Sequence, residues 1–98
     1  MGKTNRPDIS DFIKDKQKTA HLIGIGGVSM CSLAETLLES GHKITGSDMQ
    51  SSSATKSLSR QKVKIYVGHF AENIREADYI IRSAAIKDDN PEIVEARK

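Results

Sequence analysis

The sequence holds one cysteine, Cys31, so no disulfide can close within the chain and a reducing compartment suits it. It also lacks a dominant charge. Fifteen Lys and Arg against thirteen Asp and Glu leave a formal net charge of +2, too little to recruit nucleic acid or an anionic membrane by bulk electrostatics. No long hydrophobic run is present: the apolar stretches are strand-sized, such as Tyr79–Ile81, far below the ~20 residues that span a bilayer. The opening MGKTNRPDISDFIKDKQK contains no apolar signal core, which makes the cytoplasm the expected location. There is no internal repeat, and the only biased tract is the serine cluster Ser51–Ser53. Ninety-eight residues leave room for one small domain and one site.

Residues 1–18 are polar and mixed in charge and read as a flexible lead or a short docked helix. From Thr19 the pattern becomes regular. A strand is predicted over 20–25, then a helix over 28–40 in which Met30 or Cys31, Ala34, Leu37 and Leu38 recur at the spacing of a buried face. Gly41 supplies the left-handed residue that ends it. A second strand is predicted at 43–46, a serine-capped helix at 53–61, a third strand at 63–67, a helical turn at 73–76 and a fourth strand at 79–82. Asn90 caps a last helix with Pro91 at its first position, where a missing amide hydrogen is harmless. Strand and helix alternate four times, which predicts an α/β fold: a Rossmann-like open parallel sheet flanked by helices on both faces. The last helix is still running where the residues stop, so a fragment of a longer protein is expected.

The stretch HLIGIGGVSM carries the chemistry. In a strand-to-helix turn of the form G-x-G-x-x-G, the first glycine makes the tight turn and the second admits a phosphate to the backbone. The third lets helix and strand pack closely. Gly24 and Gly26 fill the first two places, Gly27 is additional, and Ser29 stands at the third. The helix starting at Val28 aims free amides and its positive dipole end at whatever lies over the turn. The bland alternative is a tight turn that binds nothing. On the binding reading, a branched side chain at Gly26 would occupy the diphosphate position.

Asp48 ends the second strand 24 positions after Gly24, close to the spacing of about 20 at which an acidic residue meets ribose hydroxyls. It also suits a turn or cap in Gly-Ser-Asp. Gly68 and His69 follow the third strand, and Ser83, Ala84 and Ala85 follow the fourth, so both loops fall on the carboxyl edge, where open α/β sheets bind ligands. His69 is equally compatible with an exposed loop histidine, and Ser83 with local backbone bonding. Cys31 reads as a small core residue. His21 and His42 stand at no metal-ligand spacing from it, and no metal site is expected. Four strands and one glycine turn hold one nucleotide diphosphate better than a dinucleotide, which uses about six strands.

HLIGIGGVSM, Gly-Ser-Asp, Gly-His followed by Glu-Asn, and SAAIKDDNPEIVEAR together resemble the amino-terminal domain of the Mur ligases over about residues 19–98. The resemblance implies a domain that holds the UDP part of UDP-N-acetylmuramate. It implies a whole enzyme that joins L-alanine to the lactyl carboxyl in peptidoglycan synthesis, using ATP and Mg to make an acyl phosphate. By the same resemblance, Gly24, Gly26 and Gly27 with the amides of Val28, Ser29 and Met30 face the diphosphate, and Ser47 with Asp48 meets the uridine. His69, Ser83, Ala84 and Ala85 complete the rim, with Asn90 near the sugar side. Ser29 replaces the glycine usual in GIGGIGM, and Ala84 the second serine usual in SSAI. No G-x-x-x-x-G-K-[ST] loop occurs, so the chain offers no cradle for ATP phosphates. It is expected to bind and not catalyse, with no cofactor of its own. Two alternatives stay open: an NAD-binding regulatory domain, and the peptide-recycling ligase of the same family, in which the glycine turn is expected to depart from GIGG.

Overall fold

A computed structural model describes residues 13–98. Of the polar lead expected over 1–18, residues 1–12 lie outside the described residues. The elements run β1 Thr19–Ile23, α1 Val28–Glu39, β2 Lys43–Asp48, α2 Ser53–Arg60, β3 Lys64–Val67, a 3-10 helix Ala71–Ile74, β4 Tyr79–Arg82 and α3 Pro91–Ala96. All strand pairs are parallel, and the order across the sheet is β3-β2-β1-β4. Order reverses after β3, since β4 returns to the far side of β1. That places a topological switch beside the carboxyl end of β1, where ligands of such sheets bind.

The two-residue period of β1 separates two different cores. Ala20 and Leu22 face one way and cluster with Ile44, with Met30, Ala34 and Leu37 of α1, and with Leu58 of α2. Each leucine, isoleucine or methionine side chain among them contributes about 1.5–3 kcal/mol when withdrawn from water, and the 30, 34, 37 spacing is why α1 lies along this face. His21 and Ile23 face the other way, beneath the 3-10 helix and α3. There the neighbours are polar: His21, Ser47 and Glu92 are all fully buried.

Local chemistry sets the element ends. Ser52 caps α2 in a reciprocal box with Thr55. Asn90 caps α3 by accepting from the Glu92 amide, with Pro91 at the first helical position. β1 stops at Ile23, two residues short of the predicted strand, because Gly24 turns at φ +80°, a backbone shape that L side chains rarely adopt. The amides of Gly24 and Ile25 then both donate to the Ser47 carbonyl, at 2.8 and 3.0 Å. Ile25 folds back over β2, where a Cβ on Gly46 would lie only 2.3 Å from Ile25 Cδ1. β2 extends beyond the predicted Gly46 because its ladder with β3 continues to Asp48↔Val67. The turn expected over 73–76 forms earlier, as the 3-10 helix.

Candidate functional site

A cleft of about 450 Å³ opens at the carboxyl edge, walled by Gly24, Gly26, Gly27, Asp48, Ser52 and His69. Met49, Gln50 and Ile86 complete it. Five residues singled out in the sequence thus share one concavity. A larger depression, about 630 Å³, lies between the 3-10 helix, β4 and the end of α3. It contains no glycine turn, and its wall includes Ala77 and Asp78 at the amino end of β4, the end opposite to where such sheets bind ligands.

The turn is built around Asp48. The Gly26 amide donates to Asp48 Oδ2 at 2.9 Å, and the Gln50 amide reaches Oδ1 at 3.4 Å. A Cβ at Gly26 would meet that same Oδ2 at 2.9 Å and Thr55 Cγ2 at 3.2 Å. The need for glycine here therefore comes from the β2 and α2 side of the turn, and a side chain would act on the turn before it reached a ligand. Gly27 differs. It is the N-cap of α1 at φ −68°, and a Cβ there would meet only the Gly24 carbonyl at 3.4 Å. No side chain caps α1, and the amides of Val28, Ser29 and Met30 have no acceptor among the described residues. Three free amides and the positive end of a 12-residue helix are chemically suited to an anion.

Ser47 and His69 turn toward a buried carboxylate. Glu92 Oε1 accepts from His21 Nε2 at 2.6 Å and from the Ser47 hydroxyl at 2.8 Å. Glu92 Oε2 accepts from His69 Nδ1 at 2.8 Å and Asn73 Nδ2 at 3.1 Å. Burial alone would push this carboxyl up, but the hydrogen bonds from His21, His69, Ser47 and Asn73 outweigh it and hold Glu92 at about 2. Asn73 also donates to the Gly68 carbonyl at 2.9 Å, and the Gly68 amide donates to the Asp48 carbonyl at 2.7 Å. The loop carrying His69 is thereby tied to β2 and α3.

The remaining sequence candidates stand at the edge of this arrangement. Ser83, Ala84 and Ala85 form the turn after β4, closed by the Ile86 amide on the Ser83 carbonyl at 3.1 Å. Ile86 is the part of that loop that walls the cleft. Arg82 holds the loop through Asp88 at 2.8 Å and the Ile86 carbonyl at 2.6 Å. Asn90 spends its side-chain oxygen on the α3 cap. Cys31 is half-buried, and burial with the nearby Glu35 pushes its thiol up, which disfavours a reactive thiolate.

The pattern described as "Mur ligase family, catalytic domain" matches residues 19–98. The chain belongs to the Mur ligase family. Among curated Mur ligases, it is 57% identical over 88 residues to the UDP-N-acetylmuramate--L-alanine ligase of Clostridium botulinum strain Langeland, and 47% to that of Clostridium perfringens. Each alignment covers 90% of this chain and 19% of the relative, so the chain spans about a fifth of their length. Among solved structures, the UDP-N-acetylmuramate-alanine ligase of Thermotoga maritima superposes with a TM-score of 0.77 at 37% identity, covering 81% of this chain and 18% of that one. The UDP-N-acetylmuramate:L-alanyl-gamma-D-glutamyl-meso-diaminopimelate ligase of Neisseria meningitides superposes at 0.71 with 30% identity, covering 81% and 25%.

Sequence reasoning about this Mur ligase domain missed Glu92, Ser52 and Ile86. Glu92 left one trace: His21, Thr45 and Ser47 are polar at alternate positions of two central strands, where a doubly covered sheet normally places aliphatics. Such a polar row requires a buried partner.

Proposed function

We propose that this chain is the nucleotide-sugar-binding domain of a UDP-N-acetylmuramate:L-alanine ligase, working in the cytoplasm on a peptidoglycan precursor. One observation carries this reading: the glycine turn and Asp48 wall a single cleft, and the free amides of α1 begin directly after Gly27, the last glycine of that wall. The amides suit a diphosphate, and Asp48, whose Oδ2 accepts from the Gly26 amide and Oδ1 from the Gln50 amide, keeps a further lone pair on each oxygen for ribose hydroxyls. Residues 19–98 form the binding unit, with residues 1–18 as its lead. His69 and the Ser83–Ala85 turn complete the rim, and Asn90, toward the sugar side, acts indirectly by capping the helix that carries Glu92. The relatives' names support the alanine-adding reaction, and the higher identity to those ligases than to the Neisseria enzyme favours it over peptide recycling.

In that reaction ATP supplies the phosphoryl group that activates the lactyl carboxyl. With no G-x-x-x-x-G-K-[ST] loop in these residues, ATP, Mg and L-alanine bind through parts of the enzyme outside this chain. The role of this domain is to hold and orient the nucleotide-sugar. Competition binding tests the reading against the NAD alternative. UDP-N-acetylmuramate and UDP are expected to compete with each other and to be undisturbed by excess NADH. Selective binding of NADH would overturn the ligase reading.

A further inference from the structure

A carboxylate accepts hydrogen bonds and cannot donate them, which fixes the protonation pattern of both histidines that touch Glu92. His69 directs Nδ1 at Oε2, 2.8 Å away, so in its neutral form Nδ1 carries the proton and Nε2 is bare. His21 directs Nε2 at Oε1, 2.6 Å away, so in its neutral form the proton sits on Nε2 and Nδ1, 2.7 Å from the Thr45 hydroxyl, is the acceptor. One carboxylate therefore holds two histidines in opposite tautomers. The two rings differ in surroundings: the His21 side chain is fully buried, whereas that of His69 is 13% exposed and walls the cleft. His69 Nε2 has no partner among the described residues.

We propose that Glu92 is a positioning residue of the binding site: it locks His69 as the Nδ1–H tautomer and so presents Nε2 to the cleft as an acceptor for an O–H or N–H group of the nucleoside. This rests on the nucleotide-sugar reading above. The arrangement is stiff at each joint. Glu92 is set by the Asn90 cap, its second oxygen is shared with Asn73, and Asn73 fixes the Gly68 carbonyl next to His69. An imidazole held by a carboxylate on one nitrogen offers the other at a fixed angle, and a pre-set acceptor loses little freedom when the ligand arrives.

Nitrogen NMR of the histidine rings in this chain at neutral pH, with and without UDP-N-acetylmuramate, tests the proposal. The free protein is expected to have His69 protonated on Nδ1 and bare on Nε2, and His21 the reverse. Ligand should shift His69 Nε2 and leave its Nδ1 nearly unmoved. A His69 proton on Nε2, or a mixture of tautomers, overturns the proposal. So does an unmoved Nε2 when the amides of Gly24 to Met30 respond to ligand. If the tautomers are as stated but no resonance responds to the ligand, the nucleotide-sugar reading fails, and with it the ligand role of Nε2.

Glu92→Gln supplies the second arm. The amide has one oxygen for two pairs of donors, so one of the two histidines must reverse its tautomer. If His69 reverses, affinity for UDP-N-acetylmuramate is expected to fall about tenfold, the loss of roughly one hydrogen bond. If His21 reverses, affinity is kept. Reversal of neither ring overturns the proposal, and so does affinity that fails to follow the His69 tautomer.

Discussion

Replacing Glu92 by alanine is expected to destabilise the fold by about 3–5 kcal/mol, the range for removing one partner of a buried charged network. Four groups donate to this carboxylate from β1, β2, the loop after β3 and the 3-10 helix. Deleting it leaves the fully buried His21 Nε2 with only the longer 3.3 Å approach to the Ser47 hydroxyl. A domain of this size has about 5–15 kcal/mol in all, so chemical denaturation would register the change as a large loss of midpoint. The effect carries a pH signature. The folded carboxyl lies at about 2 against an ordinary value of 4.5. A depressed value stabilises the folded state above the unfolded pKa, and the contribution is lost as pH falls through the folded one. Glu92 ionisation thus contributes on the order of 3 kcal/mol that is complete above about pH 4.5 and vanishes toward pH 2. The stability gap between wild type and Glu92→Ala is expected to narrow across that window. A gap that stays constant through it would contradict the buried-acceptor assignment.

Gly26→Val and Gly27→Ala are expected to separate the construction of the turn from contact with the ligand. At position 26 the added Cβ meets Asp48 Oδ2 at 2.9 Å, Thr55 Cγ2 at 3.2 Å and Ser52 Oγ at 3.3 Å. The turn must open and the Gly26–Asp48 hydrogen bond must lengthen. Stability should fall by about 1–3 kcal/mol, the usual cost of overpacking, and affinity for UDP-N-acetylmuramate at least about a hundredfold, close to 3 kcal/mol. At position 27 the backbone already has φ −68° and the added methyl meets only the Gly24 carbonyl, at 3.4 Å. Stability should change by less than about 1 kcal/mol, in line with a cap substitution, while affinity drops at least about tenfold if the diphosphate rests on this backbone. Thermal melts and calorimetric titration of both variants read the two quantities separately. Unchanged affinity in Gly27→Ala would move the diphosphate away from the α1 terminus.

The elements were legible in the sequence because their signals are local. Gly41 ends α1 at φ +86°, Asn90 with Pro91 starts α3, and the 30, 34, 37 spacing marks the buried face of α1. The cleft was legible for a related reason: the glycine turn and His69 follow strands and Asp48 ends one, and parallel strands bring such positions to one edge. The route by which they act was not. The Gly26 constraint comes from Asp48 and α2, a contact created by folding across 22 positions. Glu92 reaches its histidine on β1 from 71 positions away, and within NPEIVEAR it is indistinguishable from an ordinary charge in the first turn of a helix. Periodicity identifies which face a residue occupies but not which distant side chain will meet it.

The most direct measurement is an amide-resolved NMR titration of this chain with UDP-N-acetylmuramate, alongside UDP and NADH. Shifts confined to the Gly24–Met30 turn, Asp48 and the His69 loop, produced by both uridine ligands and not by NADH, are the expected result. Saturable shifts that bypass the glycine turn, or a response to NADH alone, would contradict the assignment of this cleft to a nucleotide-sugar.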